Sequence, residues 1–400
     1  MGTTKRVALI GGGLVGLSTA YALATQWPDL EIELFEKEDR VSAHQSGRNS
    51  GVIHSGIYYQ PGSLKAKLCH SGREKLIDFC TSEDVRFETC GKIIVATTPE
   101  EVPSLEAIFE HGKENGVRCS LISADEIAQF EPHAVGLRAI HVPDAGIVDF
   151  LGVALRLRSI LESKGHRIRL GSPVSALTHS DGRAVLTSNG HTHSFDLIIS
   201  CGGLQADRLA RMAGANTDFQ IVPFRGVYYE LTPDARRLCQ NLIYPVPDPA
   251  YPFLGVHFTR MTDGRIEVGP NAVLATGREG YSLTKWNVAD ISEAVRFSGF
   301  RHLARNHWRK GITELHRTVS KNAYLKALKT LVPSIQAGDL IPCRSGIRAQ
   351  ALRPDGSMVD DFVILNQPNM VHVCNAPSPA ATACLAIGEF IADQVAGRLA

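Results

Sequence analysis

Three glycines at a fixed spacing carry the first chemistry in this chain: Gly11-x-Gly13-x-x-Gly16, directly after an apolar run at residues 7–10. The first glycine permits a tight turn, the second lets the backbone approach a pyrophosphate, and the third lets a helix pack on the strand. A helix expected over 17–24 aims its N-terminal amides and the positive end of its dipole at the phosphates. A second strand over 32–35 ends at Glu36, where a carboxylate can take ribose hydroxyls. Strand, turn, helix, strand and acid in this order describe a dinucleotide-binding unit.

The elements that position this unit return later in the chain. Residues 149–164 read as an amphipathic helix with Val153, Leu157, Ile160 and Leu161 on one face, Asp149 as N-cap and Gly165 as its stop. Strands follow at 167–170 and 184–187, with a Ser180-Asp181-Gly182 turn between them. Phe195-Asp-Leu-Ile-Ile-Ser-Cys-Gly-Gly203 is another apolar strand running into glycines, and residues 370–388 repeat the pattern of strand, proline-rich turn and helix of small residues. The intervening texture differs. Residues 92–96 read as β. Residues 103–116 and 124–130 read as helices, the second with a capping box at Ser123 and Glu126. Residues 221–275 are rich in β formers, and 290–331 turn helical. The economical fold class is α/β, with a discontinuous nucleotide-binding domain (1–90, 145–220 and 340–400) interrupted by pieces of a substrate domain (91–144 and 221–339).

A net charge of +1 gives no electrostatic footprint for nucleic acid. No apolar run approaches the ~18 residues of a membrane span, and the first strand leaves no room for a leader. The expected location is cytoplasmic, with a peripheral contact to the inner membrane left open. Nine cysteines occur without a C-x-x-C pair or zinc spacing, so reduced thiols and no metal site are expected.

The glycine fingerprint, the Cys-Gly-Gly strand end and the late strand–turn–helix resemble the D-amino-acid-oxidase class of FAD-dependent oxidoreductases. Within it the chain is more similar to L-2-hydroxyglutarate dehydrogenases. The segments that carry this are His44-Gln-Ser-Gly-Arg-Asn-Ser-Gly-Val-Ile-His-Ser-Gly-Ile-Tyr-Tyr59, Pro61-Gly-Ser-Leu-Lys-Ala-Lys67, Val222-Pro-Phe-Arg-Gly226 and Ile243-Tyr-Pro-Val-Pro-Asp248. With them go Pro252-Phe-Leu-Gly-Val-His-Phe258, Gly269-Pro-Asn-Ala-Val-Leu-Ala275, Gly346-Ile-Arg-Ala-Gln350 and Asn375-Ala-Pro-Ser-Pro-Ala-Ala-Thr382. Arg48 stands where that family pattern has a histidine, and the stretch 290–310 diverges.

The resemblance implies a Rossmann-like FAD-binding domain with an inserted α+β substrate domain. It implies hydride transfer from Cα of a small 2-hydroxy diacid to flavin N5, the electrons passing to an external acceptor, quinone or oxygen. It also implies cofactor contacts from Gly11, Gly13, Gly16, Glu36, Ser46, Asn49, Ser50, Gly51, Val174, Gly202, Pro377, Ala380 and Ala381.

Such a reaction needs a cationic carboxylate anchor, a base for the hydroxyl proton and a flavin held in place. Arg348 is the first choice of anchor, since guanidinium binds carboxylate bidentately; the alternative is an arginine tying two domains. Arg225, Tyr58 and Tyr244 are candidates for the second carboxylate, although Arg225 could equally pin backbone carbonyls. His257 is favoured as base, with His54 as a flavin or substrate contact and next in line for the base. Lys65 either balances charge near the flavin or lies on a solvated helix face. Two rivals share the scaffold: an amine or amino-acid oxidase, and a non-catalytic flavin redox sensor.

Overall fold

Residues 7–10 and 197–200 are apolar or small, and 32–35 is apolar apart from Glu33, whose buried carboxylate is paired with Arg6 and Arg169, so these segments are covered on both faces and form the middle of a parallel sheet. The computed structural model describes residues 4–248, 255–282 and 284–399. This sheet runs in the order Val363–Asn366, Met370–Asn375, Leu197–Ser200, Arg6–Ile10, Glu31–Phe35, Arg167–Arg169. All its pairings are parallel except the hairpin between the first two. Helices Leu14–Gln26, Phe150–Ser163 and Cys384–Leu399 cover one face and share a core with helix Leu64–Ser82. Asp149 caps the second of these by accepting from the Gly152 N–H, and Gly165 ends the turn after it at φ +87°.

A second, mostly antiparallel sheet is built around Gln220–Leu231, which pairs along its length with Leu340–Leu352. Lys92–Ala96 enters this sheet beside Leu242–Pro245 and Arg138–Val142. Helices Val288–Arg296, Ser298–Val319 and Lys321–Lys329 follow. Among the described residues, no helix is long and apolar enough to cross a membrane.

Three details differ from the sequence reading. The Ser180-Asp181-Gly182 turn joins Arg183–Ser188 to Val174–Ser180, a strand whose polar, largely exposed residues give it no hydrophobic signature. Leu340–Leu352, read with the last nucleotide-binding piece, hydrogen-bonds within the second sheet, and the chain re-enters the first sheet at Val363. A strand's own pattern does not state which sheet it joins. The last helix begins at Cys384, so Pro377, Ala380 and Ala381 lie in the turns before it.

Helices Leu14–Gln26 and Cys384–Leu399 touch at Gly388, where a Cβ would stand 2.4 Å from the Ser18 carbonyl oxygen. Gly388→Leu therefore overpacks the contact and is expected to cost about 1–3 kcal/mol. Thermal unfolding followed by circular dichroism reads this as a lowered Tm. An unchanged Tm would show that the two helices part freely.

Candidate functional site

A cavity of about 680 Å³ lies between the C-terminal ends of the parallel strands and the paired strands Gln220–Leu231 and Leu340–Leu352. Open α/β sheets bind ligands at this place because the crevice opens beyond the strand ends.

One end is shaped for a nucleotide. Gly11, at φ +106°, admits no side chain, since a Cβ would meet the Cys201 carbonyl oxygen at 2.4 Å. Gly16 is forced by its own turn, its Cβ position lying 2.0 Å from the Gly11 oxygen. Gly13 is the N-cap of helix Leu14–Gln26, and the first turn of that helix holds no acid to repel an anion. Ser46 Oγ accepts the Leu14 N–H at 2.9 Å. Glu36 is buried, accepting from the Gly12 N–H at 2.6 Å and, through its other oxygen, from the Glu38 N–H at 2.9 Å. Each carboxylate oxygen keeps lone-pair capacity for a ribose hydroxyl. Val174, Gly202, Ser46, Asn49, Ser50, Ala380 and Ala381 also line the cavity. Asn49 further holds its own loop, donating to Ser46 O at 2.7 Å and accepting the Gly51 N–H at 2.9 Å.

The other end is a chamber lined by His54, Tyr228, Tyr244, His257 and Arg348. The Tyr244 and His257 rings lie 4.1 Å apart between centroids. His257 Nδ1 stands 3.0 Å from the Gly255 carbonyl oxygen, which can only accept, so Nδ1 carries the proton and Nε2 keeps its lone pair. His54 Nε2 lies 3.3 Å from Ser378 Oγ. Burial pushes the His257 ring down to about 4, aided by the nearby charge of Lys92. Burial pushes His54 down to about 3, with Lys92 and then His257 adding to the effect. Both rings are neutral at physiological pH.

Gly16, Gly51, Pro377, Tyr58 and Arg225 are not among the lining residues. Arg225 is buried, but its strand neighbours Phe224 and Gly226 face the cavity, and alternation along the strand turns Arg225 away. Its Nε and Nη1 have no hydrogen-bond partner. Gly51 instead takes part in strand pairing, its carbonyl accepting the Val148 N–H. Lys65 is no solvated group: it is buried and paired with Asp360 at 2.7 Å. Arg344 makes a tie of the kind weighed for Arg348, donating to Gly47 O, Asn49 O and buried Glu267. Arg278 and Asp207 form a second buried tie. Within the Pro252–Phe258 motif, residues 252–254 lie outside the described residues. Sequence reasoning missed Tyr228 and Lys92. A lysine opening the fully buried run Lys92–Ala96 was the signal for the second.

A family model for FAD-dependent oxidoreductases matches residues 6–394. The chain is 45% identical to the L-2-hydroxyglutarate dehydrogenase of Indibacter alkaliphilus, over 98% of this chain and 99% of that protein. Identity is 44% to the enzyme of that name from Escherichia coli, with 98% and 93% covered. It is 42% to the mitochondrial one of Homo sapiens, with 98% and 89% covered. Among solved structures, the chain is similar to L-alpha-glycerophosphate oxidase from Mycoplasma pneumoniae with FAD bound (TM-score 0.80, 24% identity, 100% and 95% covered). It is also similar to glycine oxidase from Geobacillus kaustophilus (TM-score 0.74, 18% identity, 98% and 95% covered). At these identities the structural likeness shows the fold alone.

The neutral histidines have a consequence for stability. An unfolded imidazole titrates near 6.5, above both folded values, so the unfolded chain binds the extra protons first. The stability these rings confer is complete above pH 6.5 and is withdrawn as the pH falls through that value towards 4. Urea unfolding from pH 7 to 4.5 should show the midpoint falling, and less steeply in a His54→Gln/His257→Gln double variant. Equal slopes would mean that neither ring is held neutral by the fold.

Proposed function

Because the chain belongs to the FAD-dependent oxidoreductases, and within them to the L-2-hydroxyglutarate dehydrogenases, we propose that it oxidises L-2-hydroxyglutarate to 2-oxoglutarate and passes the electrons to an external acceptor. The observation that carries this reading is that Arg348 and a ring with a free Nε2, His257, open onto one cavity. The residues present fit FAD: Glu36 for the ribose, the helix start after Gly13 for the pyrophosphate, and glycines where a Cβ would collide.

Arg348 takes the carboxylate beside the hydroxyl carbon in a two-bond clamp and fixes where Cα points. His257 Nε2 accepts the hydroxyl proton while Cα gives up its hydrogen with the bonding electron pair, so the C–O bond becomes a carbonyl. FAD, when bound, supplies the two-electron sink for that hydride. Tyr244 and Tyr228 wall the chamber and keep water from the reacting centre. An amino-acid oxidase on this scaffold needs no base for a hydroxyl proton and would survive loss of both histidines.

The helix Ser298–Val319 favours an acceptor held in a membrane, a quinone, over oxygen. Trp308, Ile312 and Leu315 are each more than half exposed and share one face at helical spacing. Exposed Arg309 lies on the same segment, and exposed Arg301 and Arg305 lie just before the kink at His307 that opens it. An apolar stripe among cations suits the surface of an anionic bilayer.

Two experiments test these readings. L-2-hydroxyglutarate added without oxygen should bleach the flavin, while the D form and amino acids leave it oxidised; bleaching by amino acids alone would transfer the case to the oxidase. In the same assay, Arg348→Met should weaken substrate binding by about 2–5 kcal/mol, and His257→Ala should slow reduction roughly 10²–10⁴-fold with flavin retained. For the membrane, the protein should sediment with phosphatidylglycerol vesicles and not with phosphatidylcholine, and Ile312→Glu should release it. Equal binding to both lipids, or to neither, would remove this surface from consideration.

A further inference from the structure

A five-carbon diacid brings two negative charges, and Arg348 answers one. Among the described residues the acids lining the cavity are Glu36 and Glu279, the first already committed to the glycine turn and the second ion-paired with Lys37. No carboxylate therefore lines the chamber end; Asp360, which acts on Arg348 from outside the lining, is paired with Lys65. Directly behind Tyr244, one ring back from the cavity and not itself among the lining residues, lies Lys92, 2% exposed, its Nζ 5.0 Å from the centroid of that ring, which does line the cavity, and 4.6 Å from the centroid of Tyr58. Among the described residues, no carboxylate pairs with it. A buried ammonium without a counter-ion is costly, and two ring faces offset only part of that cost. Arg225, the cation weighed for the far carboxylate, faces away from the cavity, and Lys65, weighed for charge near the flavin, is paired with Asp360.

We propose that Lys92 is the counter-charge for the far carboxylate of the substrate and thereby sets the preference for a diacid over a monoacid. This rests on the substrate reading above. The lysine opens the buried strand Lys92–Ala96, whose Ile94 pairs with Tyr244 in register, so Lys92, Ile94 and Tyr244 share one face of the sheet. A rigid strand then holds the charge at a fixed place, as discrimination by charge requires. The titratable groups facing it are Tyr58, Tyr244, His54, His257 and Cys69. Burial raises both tyrosines well above the physiological range, lowers both histidines below it, and pushes Cys69 up to about 12. Lys92 itself is brought down to about 7 by burial. It is thus the group of this cluster that titrates between pH 6 and 9.

The test compares L-2-hydroxyglutarate with its 5-amide, which keeps the shape and removes the far charge. In the wild-type holoenzyme the diacid should be preferred in kcat/KM by roughly 30-fold or more. Lys92→Gln should collapse that preference, and Lys92→Arg should restore much of it. A preference kept in Lys92→Gln, with flavin content and Tm unchanged, overturns the proposal. Should that variant lose its flavin, the wild type still decides. KM for the diacid should rise as the pH passes from 7 to 9 while KM for the amide stays level; two parallel profiles overturn the assignment. A wild-type flavin that L-2-hydroxyglutarate fails to reduce would instead overturn the substrate reading itself.

Discussion

The antiparallel pairing of Gln220–Leu231 with Leu340–Leu352 is the constraint on which the site depends. Its register sets Arg348 against Phe224 and Gly346 against Gly226. Both glycines mark points where other backbone descends onto the pair: a Cβ on Gly346 would stand 2.7 Å from Arg48 O, and one on Gly226 would stand 2.4 Å from the Pro270 Cβ. On the same strand, Arg344 donates to Gly47 O and Asn49 O, fastening the loop that lines the nucleotide end. One strand thus carries both Arg348, the arginine proposed to hold the substrate, and the clasp on the loop that lines the nucleotide end. A slip of one residue would turn Arg348 to the opposite face and unmake both functions together.

Electrostatics divide the cavity into two halves. At the nucleotide end, Glu36 is fastened by backbone N–H groups with capacity left for hydroxyls, and the helix start is the place proposed for phosphate. At the chamber end burial opposes the charged form of each ring, and no carboxylate is among the described lining residues there, Asp360 acting on Arg348 from outside the lining. A site of this kind favours an anionic ligand over a neutral one before any hydrogen bond forms, because Coulomb terms are strong where water is excluded.

How much of this was legible follows from how local each signal is. The glycine fingerprint and Glu36 lie within one strand–turn–helix–strand unit, and their roles follow from spacing alone. The caps at Asp149 and Ser123 are equally local, and both are present. His257 and Arg348 lie on different strands, brought together by pairing across long stretches of chain, and local context and motif membership singled them out without stating that they share a cavity. Arg225 was misplaced because its motif does not state which strand face meets the cavity. Lys92 went unread since a charge inside an apolar run reads as a strand end until burial is known. Val174–Ser180 went unread as a strand because its residues are polar and face solvent.

The proposed choice of a hydroxy acid over an amine would have its physical basis in the same chamber. An amine carries a lone pair that drives hydride loss unaided, whereas an alcohol must lose its proton as the hydride leaves. A ring with its pKa near 4 is always neutral and ready, yet it is a weak base for that proton. Part of the depression comes from the charge of Lys92, after burial. A far carboxylate beside Lys92 would cancel that field at His257 and raise its basicity, while a monoacid would leave the base weak. Substrate charge and base strength are then coupled through one lysine. If His257 is the base and Lys92 the counter-charge, as proposed, the diacid would strengthen the group that deprotonates it, and discrimination would appear in the chemical step as well as in binding.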